Sequence, residues 1–306
     1  MLTRVKKCGH SVWRNRYIYL LLLPGILYFL IFRYGPMSGL LLAFKNYNAR
    51  LGIWGSQWVG LDHFTRIFRT PMALQSIQNT LVISFCRLIF EFPVPVIIAL
   101  LLNEMRGKRL KRLYQTVYTF PHFLSWVVVA ALMQNFFSNS GIINSLITSM
   151  GGEGIDFLAN SSLFRPLLYA TSNWKEAGWS AIIYIAAIAG INPELYESAT
   201  IDGASRFQRV LHITLPGIMP TICIMLILSV GNIMNGSFEQ IFNLRNGAVA
   251  QVANTIDVYV YDITFNATPN YGFSTAVGLF KSIVNFVMLL VANIVVEKSS
   301  GQGIFE

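Results

Sequence analysis

Ionisable side chains interrupt several long apolar stretches of this sequence. Arg87 and Glu91 are four residues apart inside one stretch, and Lys175 and Glu176 are adjacent inside another. If such stretches cross a bilayer, each ionisable group costs about 2.5–3.5 kcal/mol on insertion scales and needs a partner or a watery cavity. The spacing of Arg87 and Glu91 predicts an ion pair on one helix face, with a role in a solute pathway as the alternative.

Motifs for covalent chemistry or nucleotide binding are absent from the sequence. Gly107 and Lys108 are followed by Arg109, and Leu102 occupies the first position, so no G-x-x-x-x-G-K-[ST] loop can cradle a phosphate. No H-E-x-x-H or G-x-S-x-G occurs, and the cysteines and histidines are too scattered for a metal site. We therefore expect no catalytic residue, no metal site and no cofactor bound by this chain.

The composition is that of a membrane protein. Of 306 residues, 54% are hydrophobic and only 12% are charged, against about a quarter charged in soluble domains. The mean hydropathy is +0.52 and apolar runs recur along the whole chain, which excludes a soluble enzyme with a single anchor. The net charge of +9 is mostly a topology signal, so we expect no nucleic-acid partner.

Six stretches are long and apolar enough to cross a bilayer as helices, which takes about 20 residues each. They are 17–32, 79–102, 114–137, 163–191, 213–230 and 273–296. Lys and Arg are concentrated before the first stretch and between the second and third, so both termini are predicted to face the cytoplasm.

The resulting organisation is one all-α integral membrane domain, 17–296, with a cytoplasmic segment, 1–16, before it and a cytoplasmic tail, 297–306, after it. The loops 138–162 and 231–271 then face the outside. Their Gly, Ser, Asn and Pro residues indicate turns and short elements.

The cytoplasmic loop 193–216 is predicted to form two short helices joined at a glycine. Pro193, Glu194 and Glu197 suit the first turn of a helix, and Gly203 supplies a stop where a Cβ would be unwelcome. From Phe207 onward, apolar residues recur at helical spacing into the fifth stretch. Such a rigid projection suits docking in a groove of a cytoplasmic partner.

The spacing in this loop resembles the EAA loop of ATP-binding cassette (ABC) importer permeases: E-A-A, three residues, G, nine residues, I-x-L-P. Ser198 stands where the pattern has its second alanine, a small-for-small departure. The resemblance implies that the loop couples the chain to an ATPase. The coupling residues would be Glu197, Ser198, Ala199, Asp202, Gly203, Ile213, Leu215 and Pro216.

The resemblance extends to the maltose-type carbohydrate permeases over 174–296. The runs Leu23-Pro24-Gly25, Tyr34-Gly35-Pro36-Met37 and Ala43-Phe44-Lys45-Asn46-Tyr47 resemble a Gram-positive subgroup that imports oligo- or polysaccharides. It implies a type I importer permease in the bacterial cytoplasmic membrane, surrounded by lipid. The implied partners are a second, homologous permease, two ATPase subunits that bind ATP and Mg, and an extracellular solute-binding lipoprotein.

Candidates for the substrate path are polar and aromatic residues of the fourth stretch and of the run 229–239, whose Gly and Asn residues are predicted to interrupt the apolar helix at the end of the fifth stretch. Aromatic faces stack on sugar rings while charged and amide groups bind hydroxyls, and the resemblance places both segments beside the sugar. The candidates are Trp174, Lys175, Glu176, Trp179, Ser229, Asn232, Asn235 and Glu239. The alternative is helix packing with a paired lysine, and hydrogen bonding between helices.

The cargo and the function each retain an alternative at this point. EAA loops are shared across importer classes, so the cargo could be a peptide or a polyamine instead of an oligosaccharide. A membrane scaffold or sensor subunit that docks a partner without transport is the alternative from a different class.

Overall fold

The computed structural model describes residues 15–235, 238–266 and 268–301 of the chain. The basic residues 1–14 of the N-terminal segment and residues 302–306 of the predicted tail lie outside the described residues. The described chain is mostly helical, with one two-stranded ribbon.

The first helical stretch is continuous from Arg16 to Phe44. It consists of α1 (Arg16–Phe29), a π-helical turn (Leu30–Tyr34) and a 3-10 helix (Gly35–Phe44). The helix continues past residue 32 to Phe44, so Arg33 lies in the helix instead of in an outer loop. Pro36 does not end the helix because it stands in the first turn of the 3-10 segment, where its missing N–H has no partner to lose.

A small ribbon and two short helices connect the first stretch to the second. Strand β1 (Lys45–Asn46) pairs with β2 (Gln57–Trp58) in antiparallel register, and α2 (Gly52–Gly55) lies between them. Helix α3 (Asp62–Arg69) follows.

The second stretch contains two helices, α4 (Pro71–Phe90) and α5 (Pro93–Glu104), so it begins at Pro71 and not at 79. Glu91 and Phe92 form a turn between them, because Pro93 lacks the N–H that a continuous helix would need. The Asn173 Nδ2 donates a hydrogen bond to the Phe90 carbonyl at this break, 3.1 Å away. The interruption is thereby tied to another helix.

The prediction of one helix over 114–137 was wrong. The chain forms α6 (Lys108–Thr119), a 3-10 turn (Phe120–Phe123) and then α7 (Trp126–Phe137) and α8 (Ile142–Ser149). Pro121 disrupts the hydrogen bonding of a continuous helix. The Ser125 side chain caps the new helix by accepting a hydrogen bond from the Val128 N–H at 3.3 Å.

The remainder of the described chain carries one long helix at each end and a series of shorter elements between them. The elements are α9 (Ser161–Ala189), α10 (Pro193–Ile201), α11 (Arg206–Arg209), a π-helical turn (Val210–Thr214), α12 (Leu215–Gly217), α13 (Met219–Asn232), α14 (Phe238–Leu244), a 3-10 turn (Gly247–Val249), α15 (Ala250–Ala253), α16 (Ile256–Tyr261), a π-helical turn (Asp262–Asn266) and α17 (Tyr271–Ser300).

By length and composition, four helical stretches of the described chain are apolar enough to cross a membrane. They are Arg16–Phe44, Pro71–Glu104, Trp126–Ser149 and Tyr271–Lys298. Arg206–Gly217 and Met219–Asn232 make a fifth if this pair, bent by 59°, counts as one span. The predicted fourth span is the 29-residue helix α9, which lies outside this set and carries the polar segment around Lys175.

Helix α9 is the centre of the packing. It lies against α5 through a cluster that includes Ala181, Tyr184 and Ile188, and against α14 and α16 through Phe164 and Leu168. Near its middle, Gly178 meets α6 so closely that an added Cβ would lie 2.1 Å from the Tyr118 carbonyl oxygen. A glycine is required there because two backbones approach each other.

Ion pairs hold the predicted outer loop 231–271. Arg245 donates two hydrogen bonds to Asp262, at 2.7 and 2.8 Å, and this guanidinium lowers the pKa of the Asp262 carboxyl below its ordinary value. Lys281 of α17 pairs with Asp257 at 2.5 Å. An ion pair therefore connects this loop to the last helix.

Replacing Gly178 by alanine should separate α9 from α6. We expect a loss of about 1–3 kcal/mol of stability because the added methyl overlaps a backbone carbonyl that cannot rotate away, measured as a lower melting temperature of the purified chain. Gly278→Ala is the matched control, since a Cβ at that helical glycine meets nothing within 4 Å. Equal melting temperatures for the two variants would contradict the close approach.

Candidate substrate cavity and coupling loop

A cavity of about 500 Å³ lies between the second stretch, α9 and α13. Its wall combines apolar surface with hydroxyl, amide and charged groups, as small-molecule sites do. The polar lining residues are Arg87, Glu91, Ser172, Asn173, Glu176, Ser180, Tyr184, Ser229 and Asn232.

Arg87 and Glu91 form the predicted pair on one face, with the Arg87 Nε 3.5 Å from Glu91 Oε1. The Ser172 hydroxyl of α9 donates to Glu91 Oε2 at 2.9 Å, and Arg87 donates to Gln240 of α14. Both members of the pair also line the cavity. The same two residues therefore form an ion pair and part of the cavity wall.

Gln240 is a network residue that sequence reasoning missed. It is buried, and its Nε2 donates to the Leu168 carbonyl at 2.8 Å and to the Thr171 hydroxyl at 2.7 Å. Its neighbour Glu239 is the predicted substrate-path residue, and the Glu239 side chain is exposed. The available signal was a polar residue next to the apolar Ile241 and two residues after Phe238. Successive residues of a helix point in directions about 100° apart, so Gln240 can be buried while Glu239 is exposed.

The structure brings only some of the predicted path residues to the cavity. Glu176, Ser229 and Asn232 line it together. The remaining candidates lie outside its lining, and they are Trp174, Lys175, Trp179, Asn235 and Glu239. Helix α13 ends at Asn232 and a turn follows over 233–235, so the expected interruption of the helix is present.

Lys175 and Trp179 pack against the 3-10 turn that breaks the third stretch. The Lys175 Nζ donates to the His122 carbonyl at 2.9 Å and to Glu176 Oε1 at 2.8 Å, and it lies 5.3 Å from the Trp126 ring centroid. The His122 ring stacks on Trp179 with centroids 4.5 Å apart, and its Nδ1 lies 2.6 Å from Glu176 Oε2. These contacts are those of helix packing with a paired lysine.

The 193–216 loop contains the two predicted short helices. Asn192 caps α10 by accepting from the Glu194 N–H, and Glu194 lies in the first turn whereas Glu197 lies one turn further on. Ser205 and Gln208 form a reciprocal capping box at the start of α11. Each helix thus begins at a residue whose side chain caps the helix N-terminus.

Gly203 is the joint between the two helices, with φ +80°. The Ala204 N–H donates to the Ala199 carbonyl at 2.9 Å and the Gly203 N–H donates to the Thr200 carbonyl at 3.2 Å. This is a Schellman arrangement, in which a left-handed residue after the last helical turn satisfies otherwise unpaired carbonyls. Asp202 is the capping residue before it, and its N–H donates to the Ser198 carbonyl at 3.0 Å.

Side chains join the two halves of the loop. The Tyr196 hydroxyl hydrogen-bonds to Thr214 Oγ1 at 2.9 Å, and Arg209 donates to Thr200 Oγ1 at 2.7 Å. The final members of the motif lie directly before α13. Ile213 is in the π-helical turn, Pro216 is in the first turn of α12, and Leu215 packs partly buried with Ile218.

The loop presents apolar side chains to its surroundings. Ile201 is 87% exposed and Phe207 is 74% exposed, on either side of Gly203. A rigid element with protruding apolar anchors has the form of a helix that docks in a groove.

Residues 92–300 match the family described as "Binding-protein-dependent transport system inner membrane component". The matched region includes the 193–216 loop and most of the cavity wall. The chain belongs to this family.

Two similar proteins come from Bacillus subtilis. The chain is 46% identical to Protein LplB of Bacillus subtilis, over 95% of this chain and 92% of that one. It is 44% identical to the polygalacturonan/rhamnogalacturonan transport system permease protein YteP of the same organism, over 95% and 91%.

A solved structure has the same fold. A chain of a bacterial ABC transporter that imports the acidic polysaccharide alginate superposes with a TM-score of 0.89 and 38% identity, covering 96% of this chain and 99% of that one. This chain is therefore an ABC importer permease, an inner membrane component without a nucleotide-binding motif in its sequence.

Asn232→Ala should weaken uptake, because it removes an amide from the cavity wall. Loss of one hydrogen bond corresponds to about a fivefold rise in KM, measured as transport by the reconstituted importer. Asn235→Ala is the matched control, since that amide lies three residues further on and outside the lining. Equal KM values for the two variants would remove Asn232 from the substrate path.

Proposed function

We propose that this permease forms one half of the translocation path of an ABC importer for an oligosaccharide. The observation that carries the proposal is the cavity itself, where hydroxyl and amide groups of α9 and α13 face Arg87 and Glu91 across a partly apolar wall. Such a surface suits a molecule with many hydroxyls and apolar ring faces. The named substrates of the similar permease YteP and of the alginate importer favour a saccharide over a peptide or polyamine.

The energy for transport comes, in this proposal, from two partner ATPase subunits that bind ATP and Mg. The Gly203 joint and the bonds between α10 and the segment after it make the 193–216 loop move as one piece. Ile201 and Phe207 would anchor the loop in the ATPase, and Leu215 and Pro216 would transmit its movement to α13. Alternating access then follows from a rigid movement of packed helices.

The exposed first helical stretch supports a second, homologous permease as partner. In Arg16–Phe44, none of the most apolar window is buried inside the chain, although this stretch is 29 residues long. More than half of the surface is exposed for aromatic residues of this stretch such as Tyr28, Phe29 and Phe32. Lipid and a neighbouring permease together would cover this surface.

A solute-binding protein on the outer side completes the assembly. The similar alginate transporter has been crystallised in complex with an alginate pentasaccharide-bound periplasmic protein. For this chain we propose the corresponding role for an extracellular lipoprotein, which would dock near the outer loop held by Arg245 and Asp262.

Affinity purification of the tagged chain from its native membrane in mild detergent tests the assembly. We expect a second permease and an ATPase to co-elute in stoichiometric amounts, with the binding protein present under stabilising conditions. Mass spectrometry identifies the co-eluting proteins. Elution of the chain alone, under conditions that preserve other ABC importers, would contradict the proposal and favour a scaffold or sensor.

Gly203→Pro should uncouple the loop from transport. Proline holds φ near −65°, far from the observed +80°, and removes the N–H that donates to Thr200. We expect uptake and transport-coupled ATPase activity to fall at least about tenfold, because a shift of more than 1.4 kcal/mol in coupling is a factor of ten, while the amount of inserted chain stays the same.

Gly151→Pro is the matched control for this change. Gly151 has a similar φ of +84° but lies in the predicted outer loop, away from the ATPase side. If the two proline variants lower uptake equally, the defect is general strain and the coupling role of Gly203 is wrong.

A further inference from the structure

The charges around the cavity are balanced by this chain itself. Within the described residues, the charged side chains that line it are one guanidinium, Arg87, and two carboxylates, Glu91 and Glu176. Lys175 stands directly behind the wall, with its Nζ 2.8 Å from Glu176 Oε1. The lining therefore carries no excess of positive charge.

Each of the two cations is already engaged. Arg87 is 3.5 Å from the Glu91 carboxylate and donates to Gln240, and Lys175 donates to Glu176 and to the His122 carbonyl. An incoming anion would have to displace a carboxylate of the protein from each of them. Such an exchange gains little, because one charge-assisted contact replaces another.

The groups that remain available are suited to neutral partners. The amide of Asn232 and the hydroxyls of Ser180 and Ser229 line this wall, and Asn173 adds its amide oxygen, because its Nδ2 already donates to the Phe90 carbonyl. Carboxylates accept hydrogen bonds from sugar hydroxyls, but they repel a second carboxylate, most strongly where water is scarce. Glu91 Oε2 already accepts from Ser172 and Glu176 Oε1 from Lys175, but a carboxylate has about four lone-pair sites and can accept further hydrogen bonds. Both groups thus favour hydroxyl groups and oppose acidic groups at the same surface.

We propose that the cavity of this chain takes neutral sugar units and discriminates against uronates. The inference rests on the proposed function, and it predicts for this chain a preference different from the acidic polysaccharide alginate that is named for the similar solved transporter. Glu91 and Glu176 are the specificity-determining residues. Glu91 acts twice, because it repels an acidic sugar and occupies Arg87.

The direct test compares oligosaccharides that differ only in charge. Tetragalacturonate and tetramannuronate are each paired with the carboxyl-reduced counterpart of the same length and linkage. Binding to the complete transporter, purified in mild detergent without its solute-binding protein, is measured by equilibrium dialysis at matched ionic strength. We expect at least one neutral member to bind about tenfold more tightly than its acidic counterpart, as like charges within an interface are disfavoured.

Two variants then locate the discrimination. Glu91→Gln keeps the shape of the side chain but releases Arg87, so we expect the ratio of the two dissociation constants to fall to about one or to reverse. Glu176→Gln should also lower the ratio of the two dissociation constants, and it leaves the Arg87–Glu91 pair in place. This second variant keeps the inference testable if Glu91→Gln fails to assemble. Glu153→Gln, an exposed carboxylate in the predicted outer loop, is the matched control and should leave the ratio unchanged.

The outcomes separate this inference from the proposed function. If no neutral member binds more tightly than its acidic counterpart, or if neither variant changes the ratio, the charge inference is overturned. Uptake of any of these oligosaccharides by the reconstituted importer with its binding protein would leave the saccharide function standing in that case. Loss of both binding and uptake for the whole set would overturn both.

Discussion

Buried polar groups within apolar helices must be paired, and this constraint organises the centre of the permease. Arg87 and Glu91 are inserted into an otherwise apolar stretch, where an isolated charge would be costly. Ser172 of α9 and Gln240 of α14 complete their hydrogen bonds, and Gln240 reaches further to Thr171. The helices are held in place by the same groups that line the cavity, so the path and the scaffold share one network.

The break in the second stretch follows from the same constraint. The helix α4 ends at Phe90, whose carbonyl is among the last four of the helix and has no donor within it, and Asn173 supplies one from α9. Glu91 lies in the turn that follows and lines the cavity. The end of α4 is therefore tied to α9 by a polar contact next to one of the carboxylates of the cavity.

The 193–216 loop depends on local interactions instead. Its caps, its Schellman turn at Gly203 and the contact of Arg209 with Thr200 all connect residues close together in sequence. For this reason the pattern of prolines, glycines and cap residues was sufficient to predict two short helices and the joint between them. The exposure of Ile201 and Phe207 is equally consistent with the predicted amphipathic surface.

The sequence by itself determined the class of fold and the two short helices of the loop, because hydropathy and turn residues act locally, but it did not give the breaks at Pro93 and Pro121. It also predicted the pair Arg87–Glu91, whose members are one helical turn apart. Only the tertiary structure decided that Gln240 and not Glu239 joins this pair, and that Lys175 packs against the His122 turn instead of lining the cavity. The physical reason is that a side chain's partner across helices depends on how each helix is rotated and broken, and those angles are set by the packing of the whole chain.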